Sequence, residues 1–200
     1  KYIDLSNKPQ SFLDLNKVND DSFKIIYGTD KDGNNAEWKA SCPVLEDRKN
    51  KVRIFDSGKI CDYLEENYKP AVLAKNPEQD VPGGDAFFKL IGVVKKIKEN
   101  NGGMQDTEEL INKYKESMSK IDAYLGELSG DAVYLNKTKD ISLRDIQLIP
   151  MLHASAIHSQ QFLNINVTND KSEYKNVSKY LNYVYKQQFF IDNNYLDEDS

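Results

Sequence analysis

Ser41-Cys42-Pro43-Val44-Leu45-Glu46-Asp47, followed by Val52-Arg53-Ile54-Phe55-Asp56-Ser57-Gly58, is the stretch whose reading decides the fold. It reads as strand, tight turn, strand and helix start. Val44-Leu45 is a short apolar strand and Val52 to Phe55 is a second, while Glu46 to Lys51 between them is polar and turn-like. Asp56-Ser57 then opens an amphipathic run, Ile60-Cys61-Asp62-Tyr63-Leu64-Glu65-Glu66. Asp and Ser favour helix starts because their side-chain oxygens accept the unpaired backbone N–H groups of the first turn. Pro43 cannot donate to a strand ladder, so its place at the entry to a strand points to a cis bond or a ligand contact.

The composition around this stretch is that of a folded chain. Its 200 residues fit one large domain or two small ones. A hydrophobic content of 39% is enough for a core, and the 10% aromatic content, mostly Tyr, suits packed helices. The net charge is −5 with 30% charged residues of both signs, which gives no global field toward nucleic acid or an anionic membrane. No run of about 20 apolar residues offers a spanning helix. With no signal-peptide pattern, a reducing setting is expected, the cytoplasm or an organelle interior, a plastid included, rather than secretion. Cys42 and Cys61 do not suggest a disulfide framework, and the two histidines, His153 and His158, lack zinc-ligand spacing. The chain begins at Lys1 without Met, so the expectation is that it is processed or that its beginning is missing.

Along the chain, residues 1–5 read as a strand and Gln10 to Leu15 as a short helix with Pro9 near its start. Residues 16–40 read as an inserted loop anchored by Trp38, with one apolar run, Phe23 to Tyr27. After a helix at 57–68, the Pro/Asn/Gly-rich segment 71–84 is the expected linker between a domain at 1–70 and another at 85–200. The hydrophobic period then becomes helical. Phe87, Leu90, Ile91, Val94 and Ile97 form one stripe, and Leu110, Ile111, Tyr114, Met118, Ile121, Leu125 and Leu128 form a longer one. Ser142-Leu143-Arg144-Asp145 is a capping box with Asp in the place of Glu, opening a helix that Pro150 should bend. A last helix carries Tyr174, Val177, Leu181, Val184 and Tyr185, and an acidic tail from Asp192 is expected to fray.

This order, a strand-containing unit followed by helices, resembles the glutathione transferase superfamily. The implied fold is an α+β thioredoxin-like N-terminal domain, here incomplete, followed by an all-α helical bundle. Four segments carry the likeness: Tyr2 to Leu13, Cys42-Pro43-Val44-Leu45, Asp56-Ser57 with Ile60 and Tyr63 to Glu66, and Ile141 to His153. The nearest branch is the dehydroascorbate reductases, and after it the soluble form of the intracellular chloride channel proteins. The family's redox cysteine lies before the segment that starts here at Tyr2, so no position of this chain matches it. The family's first strand is central in its sheet, and Phe23 to Tyr27 is the one candidate to stand in for it.

The resemblance implies a glutathione site. Pro43, in cis, would turn the backbone of Cys42 outward to pair with a γ-glutamyl-cysteinyl peptide as an added strand. Asp56 would face the γ-glutamyl ammonium, while Ser57 and the helix N-terminus would receive its carboxylate. Lys8 matches a family lysine that contacts glutathione. Each has a plainer reading: a turn that shapes the sheet, an ordinary N-cap, a solvated lysine. Cys42 reads as a small apolar residue rather than a redox thiol, and Cys61 as core. Three Asn-x-Ser/Thr matches, at Asn136, Asn166 and Asn176, are discounted without a secretory signal.

Two functions follow. One is a glutathione-dependent dehydroascorbate reductase or related thiol transferase, with glutathione as co-substrate and the attacking cysteine outside this chain. The other is a non-catalytic structural or scaffolding subunit that docks into a larger assembly through the insert around Trp38. Neither calls for a metal, nucleic acid or a transmembrane segment.

Overall fold

The computed structural model describes residues 22–27, 43–68, 80–100, 103–104, 107–128, 133–137, 139–169 and 171–193. The segments expected as a strand at 1–5 and a helix at 10–15, together with Lys8, Cys42, Trp38 and most of the insert and linker, lie outside these residues. The chain divides into two compact units, Lys1–Val72 and Leu73–Ser200.

In the first unit, β1 (Lys24–Ile26), β2 (Leu45–Asp47) and β3 (Val52–Ile54) form a sheet in the order β1-β3-β2. β2 and β3 are the antiparallel hairpin read from the sequence, with its strand set later than expected. Glu46 and Asp47 belong to β2 rather than to the turn. The reason is a cross-strand charge pair: Glu46 stands opposite Arg53, whose Nη2 lies 2.5 Å from Glu46 Oε2. Arg48 Nε reaches the other oxygen at 2.8 Å, and these two arginine hydrogen bonds lower the Glu46 pKa. The turn itself is exposed and passes through Lys51 at φ 55°.

β1 pairs in parallel with β3, Lys24 beside Val52 and Ile26 beside Ile54. Phe23 to Tyr27 therefore does contain a strand, which among the described residues flanks β3 on the side away from β2. Tyr27 stacks on Phe55 at 5.6 Å, and Phe23 lies under Lys51 and Arg53 at 5.2 and 5.1 Å. These contacts fix β1 against the far side of β3, where Ile54 and Phe55 are buried. Helix α1 (Ser57–Asn67) follows directly.

The second unit is helical: α2 (Ala86–Glu99), α3 (Glu108–Gly126), α4 (Leu143–Leu163), α5 (Lys175–Val184) and the short α6 (Gln188–Asn193). The last was not legible, because the acidic tail outweighed Phe189, Phe190 and Ile191 in the reading. The core is one cluster. Tyr114, Met118, Ile121 and Leu125 of α3 meet Leu90 and Val94 of α2, Leu148, Ile149 and Leu152 of α4, and Val177, Leu181 and Val184 of α5. On α2 the buried face is Ala86, Leu90, Val93, Val94 and Ile97, so Val93 takes the place expected of Ile91, which is 42% exposed.

Two caps hold this unit together. The Ser142–Asp145 box forms at the start of α4. That helix then runs unbroken through Pro150, which sits on its exposed side. α5 has no capping side chain of its own at Tyr174. Instead Asp122 of α3 accepts from Asn176 N at 2.8 Å, Val177 N at 3.0 Å and Asn176 Nδ2 at 3.0 Å. A carboxylate from a neighbouring helix thereby satisfies first-turn donors that have no helical partner.

Candidate functional site

The hairpin and α1 build the site. Each step along an antiparallel pair raises one residue number as it lowers the other. The ladder ends at the Leu45–Ile54 pair, with Pro43 two residues before it on one strand and Asp56 two residues after it on the other. The exposed proline and the start of α1 thus share one end of the hairpin. Asp56 is the N-cap, with extended backbone angles, and its Oδ1 accepts from Lys59 N at 2.9 Å. Its other oxygen has no partner among the described residues. Ser57, the first residue of α1, is exposed. The N–H groups of Ser57 and Gly58 point out of the helix end, where a negative group is favoured.

Of the five residues expected to contact a ligand, Pro43, Asp56 and Ser57 are described, and Asp56 and Ser57 adjoin at the start of α1. Lys8 and Cys42 are outside the described residues. Cys61 is half-buried on α1 rather than in the core, and α1 has no fully buried residue. Burial, then the carboxylates of Asp62, Asp56 and Glu65, push its thiol pKa up, so it is held as the unreactive thiol. In the second unit, His153 Nδ1 pairs with the Tyr185 hydroxyl at 2.9 Å and its ring packs edge-on against Tyr185 and Phe190. His158 lies beside Phe162. Both histidines belong to aromatic packing.

The opposite end of the hairpin holds a group that the sequence reading missed. Asp47, 6% exposed, accepts from Asn50 N at 2.9 Å, Asn50 Nδ2 at 2.8 Å, the Tyr63 hydroxyl at 2.6 Å and the Tyr68 hydroxyl at 2.6 Å. One carboxylate ties the turn to the middle and to the C-cap of α1. Asp47 and Asn50 are the first and fourth residues of a turn, a pattern the sequence does offer. Tyr63 and Tyr68 are five apart, which is not a same-face spacing, so the pair gave no signal.

These bonds hold the Asp47 pKa far below the usual carboxylate range, the Tyr63 hydroxyl contributing most, then Tyr68. In return, Asp47 pushes the Tyr68 phenol up to about 12. The sign for stability follows. A carboxylate whose folded pKa is depressed stabilises the fold at pH above its unfolded value, near 4, and loses that contribution as pH falls through the folded pKa. The Asp47→Asn protein should therefore lose less melting temperature between pH 6 and pH 2.5 than the wild type does. Equal acid slopes in calorimetric melts would refute this.

No family model matches the sequence. Among curated proteins, the probable glutathione S-transferase DHAR2, chloroplastic, of Oryza sativa subsp. japonica is 26% identical over 199 residues, an alignment that takes in 100% of this chain and 60% of that protein. The chain thus spans 60% of the length of the curated relative it matches. Among solved structures, the dehydroascorbate reductase of Chlamydomonas reinhardtii superposes with a TM-score of 0.65 at 17% identity, covering 98% of this chain and 75% of that one. The small sheet followed by helices is the arrangement these likenesses share: a thioredoxin-like first unit and a helical second one.

Proposed function

We propose that this chain, whose likenesses support an assignment to the glutathione transferase superfamily close to the dehydroascorbate reductases, binds glutathione at the Pro43–Asp56–Ser57 end of its hairpin. The observation that supports the reading is the Asp56 cap at the end of the hairpin where Pro43 precedes β2, with one Asp56 oxygen spent on Lys59 N and the other without a partner among the described residues. The open oxygen would take the γ-glutamyl ammonium. Ser57 and the first-turn N–H groups of α1 would take the adjacent carboxylate. The strand entry at Cys42-Pro43 would pair with the cysteinyl backbone, and Lys8 would add a cation to the same ligand. The class of reaction is glutathione-dependent thiol transfer or reduction, with dehydroascorbate as the first substrate to try. Cys61 is given no role in it, since burial and neighbouring carboxylates disfavour its thiolate. The setting proposed is a reducing compartment, plastid or cytosol, where a glutathione pool is at hand.

Calorimetric titration with reduced glutathione tests this. The wild type should bind, and Asp56→Ala should weaken binding tenfold or more, because a hydrogen bond to a charged group contributes about 1.5–3 kcal/mol. Asp56→Ser separates the two jobs of the residue. Serine still caps the helix, so the melting temperature should hold, yet affinity should fall as it does for alanine. Equal affinity of wild type and both variants, or no binding by the wild type, defeats the reading.

A further inference from the structure

We propose that His153, Tyr185 and Phe190 form an acid-sensitive latch: α6 is docked on α4 while the His153 imidazole is neutral, and is released when the ring takes a proton. α6 has six residues, too few to persist as a helix in water on its own hydrogen bonds. Its place depends on packing, and Phe190 is its partly buried anchor on the helical core. The Phe190 ring lies 5.4 Å from His153 and 4.9 Å from Tyr185, the residue that closes α5. With Ile191, these three rings line a cleft of about 380 Å³.

Counting donors and acceptors shows which state of the ring the docked arrangement favours. A neutral imidazole has one N–H and one lone pair, whereas the protonated ring has two N–H groups and no lone pair. Nδ1 is paired with the Tyr185 hydroxyl at 2.9 Å, which suits either tautomer because a hydroxyl both donates and accepts. Nε2 is closed to solvent and has no partner among the described residues. Docked and neutral, the ring leaves one uncharged polar atom unpaired. Docked and protonated, it leaves a charged N–H without an acceptor, which is far costlier. Released into water, the same ring takes its proton near the ordinary histidine value, about 6.5.

The groups around the ring act in the same direction. α4 itself carries no Asp, Glu, Lys or Arg from Ile146 to Leu163. From the end of α5 the titratable neighbour is Tyr185, whose phenol is pushed up to about 12 by burial and so stays neutral. α6 brings Phe190 and Ile191 to the cleft, while its charged residue, Asp192, is exposed and accepts from Gln188 at 2.6 Å. Burial lowers the His153 pKa. A histidine whose docked pKa is depressed contributes docking stability that is full above the free value and is lost as pH falls through it. Each pH unit between the free and docked values shifts the balance about tenfold toward released α6.

Hydrogen exchange of the intact chain, read by NMR from pH 7.5 to 5 as protection factors, tests the latch. The Phe190 and Ile191 amides, which donate to the Gln187 carbonyl, should lose protection by about threefold or more, the shift given by half a unit of pKa difference. The Tyr114 and Ile121 amides of α3 should not. The His153 ring protons should titrate below about 6.5. His153→Phe keeps an aromatic ring in place but cannot take a proton, so its α6 protection should not vary with pH. Asp197→Asn/Glu198→Gln/Asp199→Asn should keep the wild-type loss, which separates the ring from the acids beyond Asn193. Wild-type protection that does not change with pH overturns the proposal, as does a loss that His153→Phe retains or that the triple substitution abolishes. So does a His153 ring that titrates at or above the ordinary value, as a cation held against the Phe190 face would.

Discussion

Asp145→Ala should lower the stability of the helical unit by roughly 3–5 kcal/mol, the range seen when a buried, fully bonded ionic or polar hub loses a member. Asp145 is buried at 0% exposure and accepts from Ser142 N at 2.9 Å, Ser142 Oγ at 2.5 Å, Leu135 N at 2.9 Å and the Tyr180 hydroxyl at 2.8 Å. Alanine strands two backbone N–H groups and two hydroxyls in a space closed to water. It also removes the Asp145 half of the α4 capping box and detaches the 133–137 turn and α5 from it. Tyr180→Phe removes one donor and leaves the hub otherwise intact, so its cost should be nearer 1 kcal/mol. Urea unfolding followed by near-ultraviolet dichroism measures both. A loss below about 1 kcal/mol for the alanine variant would mean that the network relaxes onto other acceptors.

The second large effect concerns two glycines of α2 and its approach. Gly83 has φ 80°, and a Cβ placed there would lie 2.2 Å from the Ser117 carbonyl oxygen of α3. Gly83→Ala should cost roughly 2–4 kcal/mol, from backbone strain and from forced separation of the loop from α3. The same substitution at Gly92, inside α2 with nothing within 4 Å of the added atom, should stabilise by about 0.5–1 kcal/mol, because alanine loses less backbone freedom in a helix. Thermal melts of the two variants should therefore move in opposite directions. Movement in the same direction would contradict the close approach at Gly83.

Much of this architecture could be read from the residues, because much of it is periodic. The stripe from Tyr114 to Leu125 is buried as its spacing required, and the Ser142–Asp145 box forms because its two members lie three apart and need no third party. What could not be read is whatever joins distant residues. Asp145 also holds Leu135 and Tyr180, 10 and 35 positions away. Asp47 collects Tyr63 and Tyr68 from a helix whose own moment says nothing of the turn beside it. The pairing of β1 with β3 was not legible for the same reason. Strand character is local, whereas which neighbour a strand takes depends on Tyr27 finding Phe55. At the candidate site, the hairpin and the Asp56 cap were legible, because turn and cap residues act locally. The direction of the Asp56 carboxylate did not follow, because a capping aspartate can spend one oxygen or both.

The borrowed cap on α5 sets the order in which the second unit can assemble. An isolated segment of this length is a marginal helix in water, and here the first-turn amides of Asn176 and Val177 are satisfied by Asp122, 54 and 55 residues upstream. α5 therefore gains its start only when α3 is formed and docked. First-turn amides are commonly the earliest in a helix to exchange with solvent, yet the Asn176 and Val177 amides should be among the late ones. Their deuterium uptake should follow that of the α3 core amides rather than that of the other α5 ends, making these two protons reporters of when α3 and α5 part.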